Sequence, residues 1–97
     1  MRMMMRVTIP VEQGNKAVRD GSLPKIIQSL VHAVNPEAGY FTTLGGLRGG
    51  FLVFDLKDPS DLPRIAEPLF MGLHASVEFA PVMNVDDLKA SLSKMNP

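Results

Sequence analysis

The chain contains no cysteine among its 97 residues. Disulfide bonds, thiolate metal sites and a cysteine nucleophile are therefore all excluded. No segment approaches the roughly 20 apolar residues that a membrane-spanning helix needs, and the Met-rich start lacks the longer apolar stretch and cleavage site of a secretory signal. We expect a soluble, cytoplasmic protein that does not contact a membrane.

The sequence also lacks an excess of charge of either sign. Ten Lys and Arg residues balance ten Asp and Glu residues. No basic stripe with interleaved aromatic side chains is present, so a nucleic-acid partner is not expected. The length suits a single domain over residues 1–97. A chain of this size buries only about 60–70% of its unfolded surface, and forming a dimer is a natural way to cover more.

The hydrophobic periodicity is the informative feature. A repeat of two residues, typical of strands, alternates with a repeat of about 3.6, typical of helices. The resulting order is strand-helix-strand-strand-helix-strand. Strands are predicted over residues 3–9, 38–44, 51–56 and 74–82.

Helices are predicted between and after these strands. A short helical stretch over residues 14–20 precedes a longer helix over residues 22–34, in which Ser22 is the expected cap. A further helix is predicted over residues 58–72. A last helix begins after Asn84 and either packs on its own sheet or reaches across to a partner. Its apolar seam consists of Val85, Leu88, Leu92 and Met95.

This order predicts an α+β fold of the ferredoxin-like βαββαβ type. Two right-handed strand-helix-strand units give a four-stranded antiparallel sheet of order 4-1-3-2, with both helices on one face and an additional C-terminal helix. The opposite face is then open. Alternation along the strands assigns six side chains to that face: Met4, Arg6, Phe51, Val53, Asp55 and Glu78.

The mixture of apolar and charged side chains on the open face is typical of an interface. Matching the ends of the first and last strands places Arg6 opposite Glu78, and such cross-strand pairs of opposite charge are stabilising. Met4, Phe51 and Val53 form an apolar patch of the kind that usually binds a partner. The simplest partner is a second copy related by a two-fold axis, so a homodimer is predicted.

Four segments carry a family resemblance: VTIPVE, GSLPK, FLVFDLKDPSD and AEPLF, in this order. Together they resemble a small, functionally uncharacterised bacterial family within the dimeric α+β barrel superfamily. That superfamily includes muconolactone isomerase-like proteins and cofactor-free antibiotic-biosynthesis monooxygenases. The resemblance implies a barrel made of two sheets, ligands held between sheet and helices, and no cofactor. No catalytic motif of those enzymes matches residue by residue, so none is carried over.

Three polar residues are candidates for a ligand site. His74, at the start of the last predicted strand, is a candidate for proton transfer, with a hydrogen-bonded strand-end histidine as the alternative. Tyr40, by alternation, faces the helices, although a core or interface tyrosine is common. Arg48, at the tip of a glycine-flanked hairpin turn over residues 45–50, is a candidate anion clamp. His32 is expected on the surface, and no metal site is predicted because the histidine spacing suits none.

Three hypotheses remain open at this point. The first is a cofactor-free monooxygenase or isomerase acting on a small apolar or aromatic substrate. The second, which the weak polar constellation favours, is a non-catalytic homodimer that binds a small molecule between sheet and helices or acts as an interaction module. The third is a purely structural role for the dimer. A pocket with convergent polar groups is the observation that discriminates between them, and a filled, apolar interior with both histidines outside would exclude the enzyme.

Overall fold

Four β-strands and four α-helices make up most of residues 1–95, the part of the chain that this computed structural model describes. The elements are β1 (Arg2–Ile9), α1 (Val11–Asp20), α2 (Ser22–Val34), β2 (Ala38–Leu44), β3 (Leu47–Asp55), a 3-10 turn (Pro59–Asp61), α3 (Leu62–Leu73), β4 (Ser76–Pro81) and α4 (Val85–Met95). Residues 96–97, the end of the predicted domain, lie outside this part. Within it, no helix has both the length and the apolar character required to cross a membrane.

The strands of the described chain form one antiparallel sheet with β1 at its centre. β1 pairs with β3 on one side and with β4 on the other, and β2 completes the sheet beside β3. The order is β2-β3-β1-β4, which is the predicted order 4-1-3-2 read from the opposite edge. The predicted α+β class and the four-stranded antiparallel sheet are therefore confirmed for residues 1–95.

The core lies on one face of this sheet, against α1, α2 and α3. Alternate residues of β1 are buried and those between them are partly exposed. The buried set includes Met3, Met5, Val7 and Ile9 from β1, Ala17 from α1, Leu30 and Val34 from α2, Leu52 and Phe54 from β3, and Ile65, Leu69 and Leu73 from α3. Burying one large apolar side chain contributes about 1.5–3 kcal/mol. Helix packing thus covers one face and leaves the other open.

The hairpin between β2 and β3 is shorter than predicted. Its turn consists of Gly45 and Gly46 alone, with φ of 59° and 82°, and two consecutive positive φ angles are typical of a two-residue hairpin loop. β3 consequently begins at Leu47. Arg48 lies inside β3, opposite Ile9 of β1, so the prediction that Arg48 occupies the tip of the hairpin is wrong.

The first two helices also differ in detail from the prediction. α1 begins earlier than residue 14, since the N–H of Gly14 already donates a helical hydrogen bond of 2.8 Å to the carbonyl of Pro10. Ser22 is not a side-chain cap. Its own backbone N–H instead donates to Oδ1 of Asp20 at 2.9 Å. The carboxylate of Asp20 therefore supplies the oxygen that Ser22 was expected to supply.

α3 ends later than predicted. The helix includes Pro68 and continues past Gly72 to Leu73. It ends because His74 adopts a left-handed conformation, with φ of 50°. β4 therefore begins at Ser76, and His74 lies outside the strand in which it was predicted.

α4 projects from the rest of the fold. Its start is fixed by reciprocal hydrogen bonds, in which the N–H of Asp87 donates to Asn84 Oδ1 at 2.8 Å and the N–H of Asn84 donates to Asp87 Oδ2 at 3.1 Å, an arrangement typical of a helix N-terminus. No residue within Val85–Met95 is buried. The radius of gyration of 15.6 Å exceeds the about 12–13 Å of a compact domain of this length. The elongated shape fits a helix that extends away from the sheet.

Truncation of Phe54 tests the position of the core. Phe54 is 1% exposed, so Phe54→Ala should lower the free energy of unfolding by about 3–5 kcal/mol through lost burial and an uncollapsed cavity. Urea unfolding followed by circular dichroism measures this change. Met71→Ala, at an exposed position of α3, is the control and should stay within about 0.5 kcal/mol of the wild type. Equal effects of the two substitutions would contradict this core.

Candidate functional site

A cleft lies between α2 and the strands β1, β2 and β3. Its volume is about 370 Å³. The strands contribute Val7, Ile9, Leu52, Phe41, Thr42, Thr43, Arg48, Gly49 and Gly50 to its lining, and α2 contributes Leu23, Ile27 and Leu30. The lining is therefore mostly apolar, with Arg48 and two threonines as its polar side chains.

The cleft is open because the helices leave β2 uncovered. Phe41 of β2 is 61% exposed, although its cross-strand neighbour Gly50 is buried. A Cβ atom at Gly50 would lie 2.8 Å from Cδ1 of the Phe41 ring. The missing side chain thus gives the aromatic ring room to lie against the sheet, and the ring becomes a wall of the cleft.

Arg48 is held in the cleft by neutral oxygen atoms. Its Nη2 donates to Oδ1 of Asn15 at 3.0 Å, and its Nη1 lies 3.5 Å from the carbonyl oxygen of Val11. Gly14 lies directly beside the guanidinium, since a Cβ atom there would be 2.6 Å from Nη1. Among residues 1–95, no carboxylate forms an ion pair with Arg48. The side chain is half-buried and its positive charge is not neutralised.

The lining is suited to binding rather than to proton transfer. Arg48 is the one ionisable side chain that it contains within the described chain. A guanidinium stays protonated at any ordinary pH, so Arg48 can bind an anion but cannot act as a general base. The hydroxyl of Thr43, opposite Arg48, can donate or accept a hydrogen bond.

The sequence-predicted candidates Tyr40, His74 and Arg48 do not come together. Tyr40 pairs with Phe51 on the open face and is 72% exposed, so the prediction that it faces the helices is wrong. The two-residue turn pairs Leu44 with Leu47 and thereby sets this register. His74 is exposed after α3, and neither Tyr40 nor His74 lines the cleft.

Phe41 lines the cleft but is not among the site residues predicted from the sequence. It follows Tyr40 directly and therefore points to the opposite face of β2. The sequence feature that could have indicated this position is Gly50, the residue across from Phe41. The predicted turn over residues 45–50 left Gly50 outside the third strand. A correct turn would have paired Phe41 with Gly50 and placed the ring on the helix-covered face.

The open face carries the six side chains predicted for it. One cross-strand row consists of Tyr40, Phe51, Arg6 and Glu78, and the row beside it consists of Ala38, Val53, Met4 and Ala80. Nη1 of Arg6 donates to Oε1 of Glu78 at 3.2 Å, so the predicted pairing of these two residues is confirmed. Half-exposed apolar side chains thus lie beside a cross-strand ion pair.

Charged side chains link the ends of the open face to neighbouring segments. Arg2 on β1 forms ion pairs with Glu37 before β2 and with Asp87 of α4. Asp55, another predicted open-face residue, accepts hydrogen bonds from Lys57 at 2.5 Å and from the terminal ammonium of Met1 at 2.8 Å. These bonds, with that of Lys57 the larger cause, lower the pKa of Asp55 to about 2.

No model of a known protein family matches the chain, and no curated protein matches it. Among residues 1–95, no group of three or more histidine, aspartate or glutamate side chains is arranged to hold a metal ion. The geometry of the cleft and of the open face is therefore the basis for assigning a function.

The pKa of Asp55 can be measured directly. Carboxyl-carbon NMR should give a pKa of about 2 in the wild type, and Lys57→Met should move it towards its usual value of 3.8. Because the folded pKa lies below the unfolded one, ionised Asp55 stabilises the fold above about pH 4, and this contribution is lost as the pH falls through about 2. Lys89→Met on α4 is the control and should leave the titration unchanged. A wild-type pKa near 4 would contradict the ion pair.

Proposed function

We propose that this protein is a homodimer that binds a small molecule in the cleft between α2 and the sheet. The observation that carries the proposal is the cleft itself. Its volume of about 370 Å³ lies within the about 300–1,000 Å³ typical of small-molecule sites, and an apolar lining with a few polar groups is also typical of them. The exposed ring of Phe41 favours an apolar or aromatic ligand.

The alternative proposal is a cofactor-free monooxygenase or isomerase with a small apolar or aromatic substrate. Isomerisation by proton transfer requires a group that accepts a proton within hydrogen-bond reach of the substrate. The described lining offers Arg48 and threonine hydroxyls, and neither is a base at neutral pH. Ligand binding without catalysis is therefore the preferred proposal. His74 and Tyr40 stay candidates only for a site outside the cleft.

Two unpartnered apolar surfaces support the homodimer. The open face combines Met4, Phe51 and Val53, all half-exposed, with the ion pair of Arg6 and Glu78. Two such faces packed about a two-fold axis bury their apolar rows, and the paired charges of one copy lie near those of the other. This is the arrangement that the resemblance to ferredoxin-like dimeric α+β barrels implies.

α4 supplies the second unpartnered surface. Its seam residues are 43–74% exposed, which is unusual for four apolar side chains spaced along one helix face. The seam consists of Val85, Leu88, Leu92 and Met95. The ion pair between Arg2 and Asp87 joins the start of α4 to the open face. A second copy seated on that face would therefore lie beside the seam, and we propose that α4 packs against it.

The substitution Val53→Glu tests the dimer. A carboxylate in the middle of the apolar row would have to be desolvated in the packed dimer, which is costly. We therefore expect the variant to elute as a monomer in size-exclusion chromatography, at concentrations where the wild type elutes as a dimer. Val18→Glu introduces the same change at an exposed position of α1 and should leave the dimer intact. An unchanged elution volume for Val53→Glu would rule out the open face as the dimer interface.

Filling the cleft tests the ligand site. We expect a thermal-shift screen of small aromatic and aliphatic compounds to find ligands that raise the melting temperature of the wild type. In Thr43→Trp, a large side chain on an exposed strand position would occupy the cleft, so the same compounds should no longer raise the melting temperature. Thr43→Ser keeps a small side chain and its hydroxyl and should retain the shift. A shift that persists in Thr43→Trp would place the ligand elsewhere.

A further inference from the structure

We infer that the cleft selects apolar monocarboxylic acids and that Arg48 binds their carboxylate. This inference rests on the proposed function, because it names the ligand class of the same cleft. It starts from a half-buried guanidinium at the edge of an apolar cavity. No other ionisable side chain of the described residues lines that cavity.

The charge of Arg48 gives the first reason to expect an anionic ligand. A guanidinium has five N–H donors, and the contacts to Asn15 and Val11 engage two of its nitrogens. Both acceptors are neutral, so they orient the side chain without cancelling its charge. Partial burial of an uncompensated cation is unfavourable. An anionic ligand would remove this penalty, and a carboxylate matches the planar donor arrangement of arginine.

The composition of the lining favours a ligand that carries a single negative charge. One cation faces the cleft, so a ligand with two or more charges would leave an uncompensated charge against an apolar wall. The rest of the lining, including Ile27, Leu30 and Phe41, suits an uncharged hydrocarbon body. The combination defines an amphipathic acid with its carboxylate at Arg48 and its apolar part beneath α2.

A second groove shows what distinguishes Arg48. The groove between α2 and α3 has a similar volume, about 350 Å³, and is lined by Lys25 and Arg64 among apolar residues. Arg64 is already paired with Asp61 at 3.4 Å, and both cations are exposed to solvent. Water and a carboxylate therefore already compensate their charges. The cleft at Arg48 provides the stronger reason to bind an anion.

Matched probes with and without a negative charge test the inference. Octanoate and octanamide have the same length and nearly the same shape, and isothermal titration calorimetry compares their affinities. A hydrogen-bonded charge pair should make octanoate about ten- to a hundred-fold tighter than octanamide. Hydrocinnamate and its amide repeat the comparison with an aromatic body.

Two substitutions at Arg48 assign the preference to its side chain. Arg48→Gln removes the charge and should lower the affinity for octanoate far more than that for octanamide, so that the preference disappears. Arg48→Lys keeps the charge without the planar donors and should retain an intermediate preference. Circular dichroism establishes that each variant is folded.

Gly14→Ala moves the guanidinium without removing it. The new Cβ atom would lie 2.6 Å from Nη1 of Arg48, and the flexible end of the arginine must therefore shift. Alanine is a better helix former than glycine, so α1 should retain its stability or gain some. We expect the melting temperature of the unliganded variant to stay the same or rise, while its preference for octanoate over octanamide falls.

The outcomes separate this inference from the proposed function. Equal affinities for octanoate and octanamide in the wild type, or a preference that survives in Arg48→Gln, would overturn the role of Arg48 while leaving a ligand-binding cleft. A screen that finds only cationic or neutral ligands would also overturn it. If no probe and no screened compound binds, the proposed function fails together with the inference.

Discussion

The burial of alternate side chains along β1 is the constraint on which the rest of the structure depends. β1 and β3 are the two inner strands of the sheet, and β1 pairs with β3 on one side and with β4 on the other. Met3, Met5, Val7 and Ile9 point to the same face and are buried beneath the helices. A shift of one residue in either pairing would expose this row and bury Arg6 instead. The register of β3 and β4, and with it the Arg6–Glu78 pair, follows from that row.

The same constraint explains why the fold was more predictable than the site. Where one face of a strand is buried, alternation alone assigns each side chain to a face, as it did for Met4, Phe51 and Val53. β2 is an edge strand that the helices hardly cover, and its residues are nearly all exposed. Where neither face of a strand is buried, alternation does not indicate which set of side chains points towards the helices. Tyr40 was therefore assigned to the wrong face.

Glycine was the second source of error. Residues 45–50 contain four glycines, and both a long turn and a short turn agree with that composition. The short turn is favoured because Gly49 and Gly50 have a packing role inside β3: a Cβ atom would lie 2.6 Å from the carbonyl oxygen of Val7 at Gly49, and 2.8 Å from that of Tyr40 at Gly50. These close approaches arise from the assembled sheet. The sequence could not reveal them, or the place of Arg48 between α1 and the cleft.

The central position of β1 also has a consequence for how the chain folds. β1 precedes both of its neighbours, β3 and β4, in the chain, and the Arg6–Glu78 contact joins residues 72 positions apart. Such long-range pairings form slowly, because the entropy cost of closing a large loop comes before the favourable contacts are made. During synthesis, the strand that contains Met3–Ile9 therefore emerges well before either of its partners, β3 and β4. The sheet is therefore expected to assemble as a unit once β3 and β4 are available, rather than strand by strand in chain order.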